Sequence, residues 1–244
     1  MTARLKFGAA LLFLTITYYI AELVVGGRWH DANPYSWSAN MISDLGVPEC
    51  FGDMAQYGAT TPRYICSPWH ALMSAEFVLL GVLVLAAALL LTPLLPKTRA
   101  ARSIPYLALI NCLGIVLVGL FPGSAGEVPN GNQLRVVLHP AGAYLELLSG
   151  LAIMIIIARL YRTHRAYTAT TLALIAVTVI GMIASLAPNH LGLGAGTAER
   201  LAIDPFVVWR IITGAVLFLA LPRIQLQGNE TAVESARSGG ATEA

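Results

Sequence analysis

The chain has 244 residues, of which 57% are hydrophobic and 11% charged, and a formal net charge of +2. Soluble domains carry about 25% charged residues, so this composition excludes an ordinary water-soluble fold and points to a membrane protein. The slight basic excess gives no sign of a nucleic-acid partner, since no basic patch interleaved with aromatics appears.

Six apolar runs follow one another at about 8–26, 69–95, 104–122, 138–158, 168–187 and 206–222. Each is near the ~20 residues an α-helix needs to cross ~30 Å of hydrocarbon. The first run exceeds a secretory signal core, and no small-x-small cleavage pattern follows Val24-Val25-Gly26-Gly27, so it is read as a retained span. The predicted fold class is therefore all-α, a bundle of six transmembrane helices. Ten of the fifteen Lys and Arg residues fall on one side of the runs: Arg4, Lys6, Lys97, Arg99, Arg102, Arg159, Arg162, Arg165, Arg223 and Arg237. The positive-inside rule makes that side, with both termini, cytoplasmic. Residues 1–225 then form one membrane domain, and the polar, aperiodic stretch 226–244 a disordered cytoplasmic tail.

The gaps on the other side are longer. The first, about 28–68, carries Ile42-Ser43-Asp44-Leu45-Gly46 and two cysteines, Cys50 and Cys66, which an oxidising compartment would let pair. The second, 123–137, has a run of turn formers at Val128-Pro129-Asn130-Gly131-Asn132, and the third, 188–205, holds Glu199 and Arg200. All four tryptophans lie on this side near helix ends, as an aromatic belt does.

Ionisable residues inside spans are the natural candidates for function, since each is costly to insert. They are Glu22, Glu76, Glu146 and Arg210, with His70 and His139 at helix entrances. Counted from the run boundaries at ~1.5 Å per residue, all fall in the outer half of the bilayer, above a uniformly apolar inner half. A through-going ion path would place polar groups at both depths, so the pattern favours a cleft open to the outer side over a channel. No His-Glu-x-x-His metal spacing and no Gly-x-Ser-x-Gly elbow occurs, and two rim histidines make a poor haem site; no cofactor or metal is expected.

Taken in order, Ile42-Ser43-Asp44-Leu45-Gly46, Cys66-Ser67-Pro68-Trp69-His70-Ala71-Leu72-Met73, Leu120-Phe121-Pro122, Leu138-His139-Pro140-Ala141-Gly142-Ala143 and Gly194-Ala195-Gly196-Thr197-Ala198-Glu199-Arg200-Leu201 form a pattern. The chain up to about 222 resembles the uncharacterised prokaryotic membrane family catalogued as domain of unknown function 998. That resemblance implies a six-helix bundle in a prokaryotic plasma membrane and supplies no reaction. Its motif residues here are Ser43, Asp44, His139, Glu199 and Arg200, with His70 beside them.

The leading expectation is an outer-leaflet polar cleft that binds, and has the acid–base groups to modify, a lipid-like or isoprenoid molecule. His139, Asp44, Glu146 and His70 are the candidate acid–base residues. Ser43, Glu76, Glu199, Arg200 and Arg210 are the candidate ligand-binding residues, an arginine holding an anionic head. Membrane lipids are then the partners, and neither nucleic acid nor an oligomeric state is indicated. Two alternatives stand beside it: a small proton-coupled transporter working through Glu76 and Glu146, and a structural protein whose polar network only locks the bundle.

Overall fold

A computed structural model of the chain describes residues 2–29, 33–53, 63–123 and 133–239, with side chains described only within 3–219. Six helices are long and apolar enough to cross a membrane, so the protein is a multi-pass membrane protein. The turn-former run at 128–132 and the last five residues of the chain lie outside the described residues.

The first span is built from two helices, α1 (Thr2–Leu14) and α2 (Thr17–Gly26). Between them the Thr15 and Thr17 hydroxyls donate to the carbonyls of Leu12 and Leu14, at 2.7 and 2.8 Å. Such back-bonding by mid-helix threonines competes with the backbone ladder and bends a helix. The remaining spans are α3 (His70–Leu91), α4 (Arg99–Leu120), α5 (Gln133–Leu160), α6 (Arg165–Leu186) and α7 (Ala195–Gly239). The backbone of α7 stays helical to Gly239, through much of the stretch expected as a tail.

The apolar runs located these helices and placed several of their starts too late. α4, α5 and α7 each begin well before a proline, at Pro105, Pro140 and Pro205. Proline removes one helical hydrogen bond, but in a membrane bundle neighbouring groups re-satisfy the freed carbonyl and the helix continues. The consequence is largest in α7, whose membrane-crossing part is Ala195–Leu219, so Glu199 and Arg200 sit on a helix and not in a loop.

Neighbouring spans pack in sequence order, and α7 packs back against α1, so the bundle closes into a ring. Close approach is set by small residues. A Cβ on Gly114 would lie 2.6 Å from the Gly142 carbonyl oxygen, and a Cβ on Gly142 the same distance from that of Gly114, so only glycine lets α4 and α5 meet there. Where no aqueous phase drives helices together, this kind of contact is what holds them.

At one end of the ring the first long gap folds into a cap. It contains a 3₁₀ turn (Ser43–Gly46), every residue of which is buried, and a two-stranded antiparallel ribbon, β1 (Phe51–Asp53) with β2 (Tyr64–Ile65). Cys50 and Cys66 are joined by a disulfide beside that ribbon. Ile42, Leu45, Val47, Phe51 and Ile65 extend the bundle core into the cap, packing with Met73, Phe77 and Tyr18. The opposite end carries the short basic connections around Lys97–Arg102 and Arg159–Arg165.

Candidate functional site

The polar residues of the chain separate into two groups at different depths. The first lies at the cap end and centres on Arg200, one turn into the membrane part of α7. Its Nε and Nη2 donate to Glu22 Oε1 of α2 at 2.9 and 2.7 Å, forming a salt bridge whose side chains are 14% and 4% exposed. Nη1 donates to the carbonyls of Trp37, Asn40 and Gly196 at 2.6, 3.0 and 3.1 Å, and Nη2 also donates to the Tyr35 hydroxyl. The rings of Tyr35 and Trp37 lie over the guanidinium at 5.6 and 5.0 Å. Gly194, at φ +84°, and Gly196 bring the start of α7 against the backbone of Ser38 and Asn40, which a side chain at either position would block.

Glu199, the neighbour of Arg200, accepts from the backbone N–H of Ile42 and of Ser43 at the start of the 3₁₀ turn. Asp44 is held by Arg63, whose Nε donates at 2.9 Å, by the Met41 N–H at 2.9 Å and by Asn40 Nδ2 at 3.3 Å. Burial pushes the Asp44 carboxyl above the usual carboxylate range, and Arg63 and the two N–H donors offset this only in part. Burial likewise raises the Tyr35 phenol. Asp204, one turn beyond Arg200, accepts from the Tyr18 hydroxyl at 3.3 Å, and Glu76 accepts from Thr17 at 2.8 Å.

Asp44 and Arg200 therefore join one network through Asn40, though each has its own ionic partner. His139 is not part of it. Its Nδ1 faces the Phe121 carbonyl at 3.1 Å, at the cap end of α4. His70 is the first residue of α3 and is half-buried. The acid–base pairing of His139 with Asp44 that their shared side suggested is not assembled. Among the described residues, the carboxylates and guanidinium groups at this end bond to one another, to backbone groups and to the Tyr18, Tyr35 and Thr17 hydroxyls.

The second group lies deeper. From Ala195 to Arg210 is ~22 Å at ~1.5 Å per residue, beyond the middle of the span. The same rise puts Glu146 ~20 Å along the 28-residue α5, near its centre. Both lie deeper than the apolar-run boundaries indicated, because those boundaries clipped the helices. Arg210 Nη2 donates to Asn111 Oδ1 at 3.2 Å, and Asn111 Nδ2 donates to the Glu146 carbonyl at 2.8 Å and to Ser149 Oγ at 3.3 Å. Arg210 is 3% exposed, and its Nη1 has no hydrogen-bond partner.

Arg210 and Asn111 stand at the inner end of a cavity of about 500 Å³ to which all six spans contribute. Side chains such as Leu12, Val84, Ile104, Ile153, Phe206 and Leu217 make its walls apolar, and Tyr161 and His164 stand at the basic end. A shallower hollow of about 480 Å³ between α6 and α7 shares His164, Tyr167 and Val216 with it. The chamber thus occupies the half of the bundle toward the basic connections, opposite to the side expected from sequence.

Sequence reasoning missed Asp204, Arg63, Tyr35 and Asn40, and gave Asn111 no site role. The spacing of Arg200 and Asp204, four apart, would have flagged the first, had the helix been started before Pro205. Nothing local marks Asn40 or Arg63, whose partners come from elsewhere in the fold.

Residues 9–216 match the family described as protein of unknown function DUF998, and the chain belongs to that family. No curated protein and no solved structure matches it.

Proposed function

We propose that this member of the family is a membrane binding protein for a lipid-like or isoprenoid molecule, held in the chamber among the six helices. The observation that carries the reading is the chamber itself: about 500 Å³ of mostly apolar space with Arg210 and Asn111 at its deep end and Tyr161 and His164 at its basic end. Ligand sites are typically apolar cavities of roughly this size, with a few polar groups that fix orientation. On this reading the basic face is cytoplasmic and the chamber opens toward that leaflet of a prokaryotic plasma membrane. Of the expected ligand-binding residues, only Arg210 lines the chamber.

The test is native mass spectrometry of the purified protein, followed by extraction and identification of what it carries. Wild type is expected to hold a lipid-like adduct that Ala108→Phe, which fills the chamber wall, loses. Wild type free of any adduct, after reconstitution in total membrane lipid, would overturn the reading.

A second reading is favoured for the cap end: the Glu22–Arg200 and Asp44–Arg63 network locks the cap onto the bundle. Its support is that each group is already paired. Buried polar residues in membrane bundles serve this role widely.

A further inference from the structure

We infer that the chamber takes a long-chain monocarboxylate, carboxylate inward against Arg210 and chain directed toward the basic end. This rests on the binding reading above and names the ligand class. Three observations carry it. Arg210 is 3% exposed, lines the chamber, and has Nη1 without a hydrogen-bond partner. The carboxylate whose charge reaches it, Glu146, is not within ion-pair distance among the described residues and does not line the chamber. An unpaired guanidinium in a membrane interior is costly, and an anionic oxygen is the natural complement.

The donor inventory selects among anionic heads. Both N–H donors of Asn111 are in use, to the Glu146 carbonyl and Ser149, while its oxygen accepts from Arg210. Trp209 Nε1 donates to Thr171 at 3.2 Å, and the Tyr167 and Thr213 hydroxyls bond each other at 2.9 Å. The inner end of the chamber therefore offers a ligand one unpartnered guanidinium nitrogen, the buried Nη1 of Arg210, and little else. That supply matches a carboxylate, with one charge and two oxygens. A phosphate monoester would bring up to two charges and three oxygens with too few donors to meet them. From Arg210 toward the basic end the walls are largely apolar through Ile153, Ala88 and Leu91 to Leu95, a path for one chain.

Trp209, adjacent to Arg210 and on the chamber wall, serves as the reporter. The experiment titrates the full-length protein in detergent micelles with a 16-carbon carboxylate brominated near its head, and separately with one brominated near its terminal methyl. The primary alcohol and the alkyl phosphate of the same chain are run beside them. The expected result is saturable quenching by the carboxylate, absent in Trp209→Phe, and stronger for the head-brominated form. The alcohol and the phosphate should bind at least tenfold more weakly, and Arg210→Met should lower carboxylate affinity about tenfold while leaving the alcohol unchanged. Equal binding of carboxylate and alcohol to wild type would overturn the carboxylate assignment and leave the chamber reading standing. A phosphate that binds more tightly would overturn it too, and stronger quenching from the methyl end would overturn the orientation. The comparison among ligands uses wild type alone, so a misfolded Arg210→Met leaves it decisive. If no chain quenches Trp209, both readings fall.

Discussion

Arg200 and Arg210 lie ten residues apart on one helix, and their surroundings differ in kind. Every nitrogen of the Arg200 guanidinium donates to a described partner, from Glu22 to the carbonyls of the cap. Arg210 shares one bond with Asn111 and leaves Nη1 without a partner, beside a cavity. A charge whose hydrogen bonds are complete within the chain has a structural role that needs nothing else. One whose bonds are incomplete, at a site shaped like a chamber, is where an outside molecule can complete them. The difference separates a lock from a site more reliably than the presence of ionisable residues, which both regions share.

The largest effect expected from this comparison is at Arg200. Arg200→Met strands the Glu22 carboxylate and frees the two cap carbonyls of Trp37 and Asn40, and loss of one partner of a buried pair typically costs ~3–5 kcal/mol. Thermal unfolding in micelles should show a large drop, and Arg200→Lys should rescue little of it, because an ammonium cannot reproduce the planar five-donor fork. A wild-type melting temperature in Arg200→Met would make the cap network dispensable. Next in size is the disulfide, which closes a loop of sequence separation 16. Removing it with Cys50→Ala and Cys66→Ala should cost ~3 kcal/mol by the loop-entropy estimate. Protease sensitivity should rise in the cap and leave α4 to α6 unaffected.

Arg210→Met is expected to move stability less, by ~1–3 kcal/mol, since it removes one side-chain hydrogen bond and leaves Asn111 Oδ1 without that donor. A collapse as severe as that of Arg200→Met would erase the distinction between the two arginines.

Much of this could be read from the sequence. Six hydrophobic runs give six spans, because hydrocarbon leaves a helix as the one economical state for such a run. The side of the basic residues and the family pattern also stand in the residues themselves. Helix starts were misjudged because apolar runs omit polar or charged first turns, such as 99–102 and 133–135, and that error moved Glu199, Arg200 and Asp204 out of a helix and Arg210 toward the surface. The chamber was not legible at all: Leu12, Val84, Ile153 and Phe206 look like any other span residues, and only the closed packing of the ring leaves space among them. The cap residues Asn40 and Arg63 were hidden for a related reason, since their roles exist only once distant segments meet.

The smallest effect concerns what kind of lock Asp44 provides. Its carboxyl binds a proton more readily in the folded chain than in the unfolded one, because burial outweighs Arg63. A group raised in this way stabilises the fold fully below its unfolded value of about 3.9, and that contribution is lost as pH rises through the folded value. Its hydrogen bonds should then matter more than its charge. Asp44→Asn keeps an acceptor for the Met41 N–H and for Arg63 Nε, and should fall within ~1 kcal/mol of wild type at pH 7. Asp44→Ala strands those donors and Asn40 Nδ2 together, and should cost ~2–3 kcal/mol. On acidification from pH 7 to pH 4, wild type should gain stability relative to Asp44→Asn, as the buried charge is neutralised. Paired melting curves at the two pH values measure this directly. If wild type instead loses ground to Asp44→Asn as pH falls, the ion pair with Arg63 is a net stabiliser, and the cap is fastened by charge and not by hydrogen-bond geometry.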